Sequence, residues 1–289
     1  MTAAATPSKP DTIVFVHGLW MTPLSWEHWK ARFESRGYRV LAPAWPGMEG
    51  AIDELRKDTS GIDRLTVPEI LDHYDKTIRE LSGPPIIMGH SFGGGFTQVL
   101  LDRGLGAAGV AIDAASVKGV LKLPLSTLRS SWPILKNPLN RHRAVPLTAK
   151  QFHWAFANTL TEDESQKVWE RYAIPGPGGV LFAGAMVNLP GTALKVDYNK
   201  PDRAPLLHIA GGADHIVPAT VSRSQVKLYK KSSSSAIVDY KEFPGRSHFI
   251  VGQDGWEEVA DYALDWVERN TGSSGSQPAE KESAAVSSS

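Results

Sequence analysis

The sequence predicts an α/β fold: a mainly parallel sheet with helices on both of its faces, the arrangement called doubly wound. Three observations predict it. Short β-branched runs alternate with helical patterns between residues 12 and 116. The pattern Gly-x-Ser-x-Gly at residues 89–93 directly follows one of these runs and opens a helical pattern. Two more apolar strands follow residue 204, and parallel strands buried on both faces have this composition.

The elements before the glycine–serine motif each have a local signal. Residues 12–16 are β-branched and aromatic, as in a buried strand. Ser25 is a plausible helix N-cap, Gly37 suits the position after a helix, and Pro68 suits a first helical turn. We therefore predict, in order, a strand at 12–16, a helix at 25–36, a strand at 38–42, an irregular stretch at 43–67 and a helix at 68–81.

The alternation is interrupted after the motif. A strand leads into Ser91, a helix is predicted from Phe92 to about Arg103, and a further strand covers 109–112. Residues 117–203 then have helical signals, with two capping-box patterns at 148–151 and 161–164 and many aromatic residues. A helical insert at this point is expected to cover the carboxyl-terminal edge of the sheet, where open α/β sheets bind ligands.

The alternation resumes after the insert. We predict strands at 205–210 and 236–240, helices at 218–230 and 255–269, and low-complexity, disordered chain ends. The predicted organisation is a disordered N-terminus at 1–10, the first part of the core at 11–116, a helical cap at 117–203, the second part of the core at 204–270 and a disordered tail at 271–289.

Composition excludes some classes of protein. Lys and Arg number 31, as do Asp and Glu, so the bulk charge favours neither nucleic acid nor an anionic membrane. The basic run 141–143 is interpreted as a solvated surface. With no cysteine, disulfides, thiolate metal sites and a cysteine nucleophile are excluded. The N-terminus has no apolar run, and no stretch approaches the length of a membrane span, so we expect a cytoplasmic protein without stable membrane insertion.

The residue types at the predicted edge suit nucleophilic catalysis. A serine on a sharp strand-to-helix turn exposes its hydroxyl, and Gly89 and Gly93 leave room for that turn. Ser91 is therefore the candidate nucleophile, and the N–H of Phe92, the next residue, is a candidate donor to an oxyanion. A serine hydroxyl needs a general base, and that base needs a third group to orient it.

Nine histidines compete for the role of base. His248 lies on a loop after the last strand, at the edge that presents Ser91, and is preferred. His90 sits inside the turn and is expected to point elsewhere, whereas His17 is expected to hydrogen-bond backbone. For the acid we prefer Asp214, on a Gly-rich turn after a strand, with Asp113 as the alternative.

The resulting order, Ser91, Asp214, His248, resembles the α/β-hydrolase superfamily over residues 11–270. The chain looks like the group of lidded serine esterases, cofactor-free haloperoxidases and carbon–carbon hydrolases within it. The resemblance implies an α/β-hydrolase fold, a cap formed by the insert, and no cofactor or metal. It also implies a second oxyanion donor at the residue after His-Gly, here Leu19, with Trp20 as a neighbouring possibility.

The predicted function is hydrolysis of a small, largely apolar carboxylic ester or related carbonyl compound through an acyl-enzyme. Apolar side chains from both parts of the chain are candidates for substrate binding: Trp20, Phe152, Trp154, Phe156, Met186 and Phe249. Two alternatives stay open, namely a hydrolase that breaks a carbon–carbon bond in a diketone and a non-catalytic receptor that retains the fold. No nucleic-acid partner is expected, and the oligomeric state is left undetermined.

Overall fold

The computed structural model describes residues 10–271. A central sheet organises this part of the chain. The predicted disordered ends fall outside these residues, apart from residues 10 and 271 themselves. The strands are β1 (Thr12–Val16), β2 (Arg39–Leu41), β3 (Ile86–His90), β4 (Ala108–Ile112), β5 (Ala144–Val145), β6 (Gly176–Pro177), β7 (Leu206–Gly211) and β8 (Val238–Phe243). Six of them form one sheet in the order β2-β1-β3-β4-β7-β8, and all five pairings in it are parallel.

Helices cover both faces of this sheet. They are α1 (Glu27–Glu34), α2 (Ile52–Lys57), α3 (Val67–Arg79), α4 (Phe92–Asp102), α5 (Leu125–Leu135), α6 (Ala149–Ala155), α7 (Glu162–Tyr172), α8 (Gly178–Ala185), α9 (Ala219–Lys231) and α10 (Trp256–Thr271), with 3-10 turns at Pro23–Trp26 and Pro138–His142. The predicted fold class, a doubly wound parallel α/β sheet, is confirmed.

Alternation along β1 separates two apolar cores. Ile13 and Phe15 point to one face, where they pack with side chains of α1 and α10. Val14 and Val16 point to the other face and join a larger cluster with side chains of α3, α4 and α9. Because both faces are covered, β1 is buried at every position and is apolar apart from Thr12, as expected for a buried parallel strand.

Several element boundaries differ from the predictions. The first helix is not capped by Ser25: a 3-10 turn capped by Thr22 comes first, and α1 begins at Glu27. The stretch 43–67 is not wholly irregular, because it contains α2, whose Glu54 carboxylate accepts from the backbone N–H of Ala51. The last strand, β8, begins and ends two to three residues later than predicted. The capping boxes at Thr148–Gln151 and Thr161–Glu164 are confirmed.

The insert, residues 117–203, contributes α5–α8 and the antiparallel pair β5–β6. It contacts the sheet edge directly: the indole of Trp20 donates to the carbonyl of Val145, and Ile174 N–H donates to the carbonyl of Trp20. Arg56 of α2 ties down the end of α7 by donating to the carbonyls of Trp169, Glu170 and Ala173. The insert therefore covers the carboxyl-terminal edge, whereas its division from the core at 117 and 203 stays a prediction.

Among the described helices, none combines the length and the apolar composition that a membrane crossing requires.

Candidate active site

Ser91 occupies a sharp turn between β3 and α4. Its backbone has φ 57° and ψ −122°, a conformation that L-residues rarely adopt. Neither flanking glycine leaves room for a side chain. A Cβ on Gly89 would lie 2.1 Å from the carbonyl oxygen of Gly93, and a Cβ on Gly93 would lie 2.0 Å from the carbonyl oxygen of Val16. The turn is also tied to β4, because Ser91 N–H donates to the carbonyl of Ile112.

Three non-glycine residues in the described part of the chain have positive φ, and all three follow strands at this edge. They are Trp20 after β1, Ser91 after β3 and Asp113 after β4. Backbone strain of this kind persists only where the surrounding structure fixes it, and it concentrates at functional sites. The strain therefore marks the same edge that the sequence motifs mark.

The turn after β1 passes beside the serine. A Cβ on Gly18 would lie 2.8 Å from Cβ of Ser91. His17 holds this turn: its Nε2 accepts from Trp45 N–H, so its Nδ1 carries the hydrogen and donates to the Gly18 carbonyl. Burial lowers the pKa of His17 to about 4, which keeps the ring neutral. His17 thus hydrogen-bonds backbone, as the sequence predicted.

Two backbone N–H groups near Ser91 are free to bind another acceptor. Within residues 10–271, neither Leu19 N–H nor Phe92 N–H donates to a protein group. Phe92 is the first residue of α4, so its N–H has no intrahelical partner and lies at the positive end of the helix dipole. The two predicted oxyanion donors are therefore unoccupied by protein acceptors.

Asp214 uses its two carboxylate oxygens differently. Oδ1 accepts from the backbone N–H groups of Ile216 and Val217, at 2.6 and 2.9 Å, and so closes an Asx-type turn. Oδ2 lies 2.6 Å from Nδ1 of His248, which donates to it. The aspartate is thus both a turn residue and the histidine's partner. The opposite nitrogen of His248, Nε2, is buried without a hydrogen-bond partner among the described residues.

The loop that carries His248 is fixed by neighbouring polar groups. The side chain of Gln253 accepts from both the backbone N–H and the hydroxyl of Ser247. The prediction that His90 points elsewhere is wrong: its ring lies 4.6 Å from the ring of His248, and its Nε2 donates to the His248 carbonyl oxygen at 2.8 Å. Burial and the neighbouring His248 lower the pKa of His90 well below its usual value, so it is neutral.

Asp113, the alternative acid, is part of the same network. Its Oδ1 accepts from Gly211 N–H at 2.7 Å. Burial, and then the charge of Asp214, raise the pKa of Asp113 well above its usual value. Its Oδ2 is buried without a hydrogen-bond partner among the described residues, so a proton on Asp113 removes an unpaired buried negative charge. His248 donates to Asp214, whereas Asp113 lies close enough to Asp214 for the charge of Asp214 to act on it.

His90, Asp113 and His248 are also the residues to consider for a metal ion, because they bring one potential ligand atom each within 4.8 Å of one another. In the structure their polar atoms serve a hydrogen-bond network instead: His90 Nε2 donates to a carbonyl and His248 Nδ1 to a carboxylate. Among the described residues, Oδ2 of Asp113 and Nε2 of His248 are the atoms of the trio left without a hydrogen-bond partner.

Some of the predicted substrate residues lie close to His248. The ring of Phe156 makes an edge contact with His248 at 4.8 Å, and Trp20 contacts Phe156 at 5.9 Å. Phe152 stacks on Phe156 at 4.8 Å and is fully buried. Phe249 N–H donates to the carbonyl of Phe156, and the Phe249 ring contacts Tyr172. These four predicted residues thus form a connected apolar wall.

The other two predicted substrate residues lie elsewhere on the insert. Trp154 contacts His215 at 4.5 Å and lies under the guanidinium of Arg129, in an outer groove of about 640 Å³. Met186 is 40% exposed and lines a separate cavity of about 380 Å³ between α3 and α8. Helix α8 itself covers the site, since a Cβ on Gly184 would lie 2.7 Å from the Phe92 ring.

The three candidate catalytic side chains are closed off from solvent. Ser91, Asp214 and His248 are exposed by 4%, 3% and 0%. A buried, apolar surrounding strengthens electrostatic interactions and excludes water.

Comparison with known proteins identifies the class. The sequence model of the alpha/beta hydrolase family matches residues 13–262, most of the chain. The protein belongs to the alpha/beta hydrolase family. A search of curated protein sequences finds no match.

Solved structures similar to this chain share the fold. A monoacylglycerol lipase from Paleococcus ferrophilus is 19% identical, with a TM-score of 0.61 over 91% of this chain and 96% of that one. An extracellular alpha/beta-hydrolase from a Paenibacillus species is 19% identical, with a TM-score of 0.64 over 89% and 98%. A pyrethroid hydrolase from Sphingobium faniae JZ-2 is 19% identical, with a TM-score of 0.61 over 89% and 97%. At 19% identity, these similarities show a shared fold alone.

Sequence reasoning missed the supporting roles of His90 and Asp113. His90 is the last residue of β3 and adjoins the serine in sequence. Its side chain nevertheless reaches His248, which follows the last strand of the sheet. Asp113 was considered only as a rival of Asp214. Its position after β4, beside the strand that leads to Asp214, is the signal that could have indicated a contact between the two carboxyls.

Proposed function

We propose that this protein is a serine hydrolase that cleaves a small, largely apolar carboxylic ester through Ser91, His248 and Asp214. One observation carries the proposal. His248 donates from Nδ1 to Asp214 at 2.6 Å and leaves its buried Nε2 without a partner, at the strand edge where Ser91 occupies a strained turn. A base oriented by a carboxylate, with its second nitrogen available, is what a serine nucleophile needs.

The first half of the reaction forms the acyl-enzyme. Nε2 of His248 takes the hydroxyl proton of Ser91 as Oγ attacks the ester carbonyl carbon. The carbonyl oxygen becomes an oxyanion and accepts hydrogen bonds from the N–H groups of Leu19 and Phe92, which have no protein acceptor. His248 then gives its proton to the leaving alkoxide, and the alcohol departs.

The second half regenerates the serine. A water molecule gives a proton to Nε2 of His248 and attacks the acyl carbon, through a second oxyanion bound in the same place. Collapse of this intermediate releases the carboxylic acid, and the proton returns from His248 to Oγ of Ser91. Asp214 stabilises the imidazolium in both halves, while the backbone N–H groups of Ile216 and Val217 hold the aspartate in place.

The preference for an apolar substrate rests on the side chains around His248. Phe156, Phe152 and Trp20 form the wall on the insert side, and the Phe92 ring packs under α8. A charged acyl group there would lose its hydration without gaining an ionic partner, which disfavours it strongly. The name of the similar monoacylglycerol lipase is consistent with an ester substrate.

Labelling with a fluorophosphonate tests the nucleophile. We expect covalent modification of Ser91, detected by mass spectrometry of the peptide, and none in Ser91→Ala. Hydrolysis of p-nitrophenyl butyrate should fall by about 10⁴-fold or more in that variant. A matched control is Ser222→Ala, which removes another buried serine hydroxyl without a hydrogen-bond partner and should leave both readouts unchanged.

The same experiment separates the two alternatives. A folded protein that is neither labelled nor active on any ester would be a receptor, and the proposal would be rejected. Labelling at Ser91 with turnover of a diketone but not of esters would identify a carbon–carbon hydrolase. A preference for charged or highly polar acyl chains over p-nitrophenyl butyrate would contradict the apolar substrate class.

A further inference from the structure

Exposed apolar side chains are concentrated on one part of the insert. Five of them lie within twelve residues, and Leu121 and Leu125 are both 84% exposed. We name this surface the α5 patch; it consists of Leu121, Leu123, Leu125, Leu128 and Trp132. Single exposed leucines are ordinary on a protein surface, but a contiguous set of this kind marks a surface that something else covers.

Helix α5 is turned with its apolar side outward. Leu125, Leu128, Arg129 and Trp132 are spaced as one stripe of a helix, and all four are exposed. The opposite side is held by polar contacts: Thr127 donates to the Ile216 carbonyl, and Ser130 donates to the His215 carbonyl and is buried. The inner side also buries Ile134, but the exposed Leu125, Leu128 and Trp132 add little to folding, so their apolar character has another reason.

The segment of chain that carries the α5 patch has charges of one sign. Residues 114–161 contain no Asp or Glu but seven Lys and Arg, in a chain whose formal charge is zero. The remainder of the chain therefore has 24 basic against 31 acidic residues. All seven cations are exposed, and none forms an ion pair within residues 10–271: Lys118, Lys122, Arg129, Lys136, Arg141, Arg143 and Lys150.

One carboxylate approaches this surface. Glu162, at the start of α7, lines the outer groove together with Arg129, Lys150 and Trp132. Two cations therefore face one anion there, and the surface stays positive. The whole chain has equal numbers of acidic and basic residues, and this balance conceals the local excess of positive charge.

We infer that the α5 patch docks on an anionic lipid surface. Leucine and tryptophan side chains that project from a helix among lysines and arginines are the features by which a protein lies on a membrane interface: the apolar groups enter the acyl boundary and the cations meet the phosphates. The contact is peripheral and reversible, since no described helix can cross a membrane. It is independent of the chemistry proposed for Ser91.

The charge and the apolar side chains of the α5 patch favour a lipid surface over a second copy of the chain or a nucleic acid. Two copies of the chain that met through the α5 patch would bring their cations together, and like charges at close range oppose such a dimer. A nucleic acid would match the cations, but aliphatic leucines at the centre of the surface neither pair with phosphates nor stack on bases. A lipid surface matches both the apolar centre and the basic surround.

Vesicle flotation tests the inference. The full chain is mixed with vesicles of phosphatidylcholine alone or with about 30% phosphatidylglycerol, and the bound fraction is measured. We expect binding to the anionic vesicles and little to the neutral ones. Lys122→Gln with Lys136→Gln should weaken it about 20-fold or more, since each lysine near the surface contributes about fivefold. Leu121→Ser with Leu125→Ser should weaken it by at least about tenfold.

A matched control removes the same number of charges elsewhere. Lys57→Gln with Lys76→Gln alters two exposed lysines on α2 and α3 and should keep vesicle binding within about twofold. Near-ultraviolet circular dichroism of each variant checks folding, and fluorophosphonate labelling in the absence of lipid should not change.

Four outcomes would overturn the inference. They are no binding to anionic vesicles by the folded chain, equal binding to neutral and anionic vesicles, equal loss in the Lys57/Lys76 control, and a dimer seen by ultracentrifugation that disappears with Leu121→Ser and Leu125→Ser. The last result would identify a second copy as the occupant. Failure of Ser91 to react would reject the proposed hydrolase but leave this result unchanged, so the two proposals fail separately.

Discussion

The sheet and the insert use apolar residues in opposite ways. Every residue of β1, β3, β4 and β7 is buried, including polar ones such as His208. By contrast, the insert supplies eight of the nine large hydrophobic side chains that are exposed within residues 10–271. The sheet places its strand ends with little freedom, whereas part of the insert leaves its apolar side chains exposed.

Buried residues of the sheet and exposed residues of α5 should affect different properties of the protein. Burial of a leucine in the sheet stabilises the fold, while an exposed leucine on α5 contributes little to the free energy of unfolding. Substitutions in the sheet should therefore act on folding, and those in the α5 patch on binding. Three experiments, each with a matched control, test this contrast.

Gly93→Ala should have the largest effect. The new Cβ would lie 2.0 Å from the carbonyl oxygen of Val16 and 2.7 Å from that of His17, and both are fixed backbone atoms of the sheet. We expect the variant to lose about 4 kcal/mol or more of unfolding free energy, measured by urea denaturation, or to be recovered only as insoluble protein.

The matched control for this change is Gly83→Ala. Gly83 lies on an exposed loop, has no positive φ, and would place its Cβ in open space. Its unfolding free energy should stay within about 0.5 kcal/mol of the unaltered protein. A soluble Gly93→Ala protein with the stability of this control would show that the turn around Ser91 is not constrained as described.

A pair of identical substitutions compares the two regions directly. Leu207→Ala removes a fully buried side chain from β7 and should lower the unfolding free energy by about 2–5 kcal/mol. Leu125→Ala alters a side chain that is 84% exposed and should change it by less than about 0.5 kcal/mol. Urea denaturation measures both. Equal losses would mean that the α5 patch is packed against the protein in solution.

The third experiment concerns pH. In the unfolded chain Asp113 releases its proton near pH 4, whereas in the folded protein burial and Asp214 raise its pKa well above that value. The folded state therefore holds a proton that the unfolded state loses, so the contribution of Asp113 to stability falls as pH rises above about 4. The slope is up to about 1.4 kcal/mol per pH unit until the folded pKa is reached.

Asp113→Asn should remove that slope. The amide can still accept from Gly211, but it does not titrate. Relative to the unaltered protein, the variant should therefore gain stability between pH 5 and pH 8, measured by urea denaturation at each pH. Asp202→Asn, at an exposed site, should follow the unaltered protein. Parallel stability curves for Asp113→Asn and the unaltered protein would rule out a raised pKa at Asp113.

Much of the fold followed from local signals. The β-branched run at 12–16 can only be a buried strand, and Thr161 with Glu164 caps a helix whatever surrounds it. The pairing of Asp214 with His248 was also predictable, because parallel strands bring their following loops to one edge. The functional roles assigned to Ser91, Leu19 and Phe92 remain proposals.

Features that depend on tertiary packing were not predictable. Periodicity indicates that a helix has an apolar stripe, but not whether that stripe faces inward, so the exposure of Leu125 and Trp132 had to be observed. The contact between the Asp113 and Asp214 carboxyls depends on which strands are neighbours. The contact of His90 with His248 depends on a loop that lies 158 residues further along the chain.

Both carboxylate oxygens of Asp214 are hydrogen-bonded, one to the backbone and one to His248, so the backbone after Asp214 influences the position of His248. Since Ile216 and Val217 clamp one oxygen, the carboxylate has no freedom to rotate and follow a displaced imidazole. The direction in which His248 aims is thus set by the peptide planes of a three-residue loop. A proline at position 216 or 217 has no N–H to donate to Asp214. Such a variant should misplace the ring of His248 although Ser91, Asp214 and His248 are all retained.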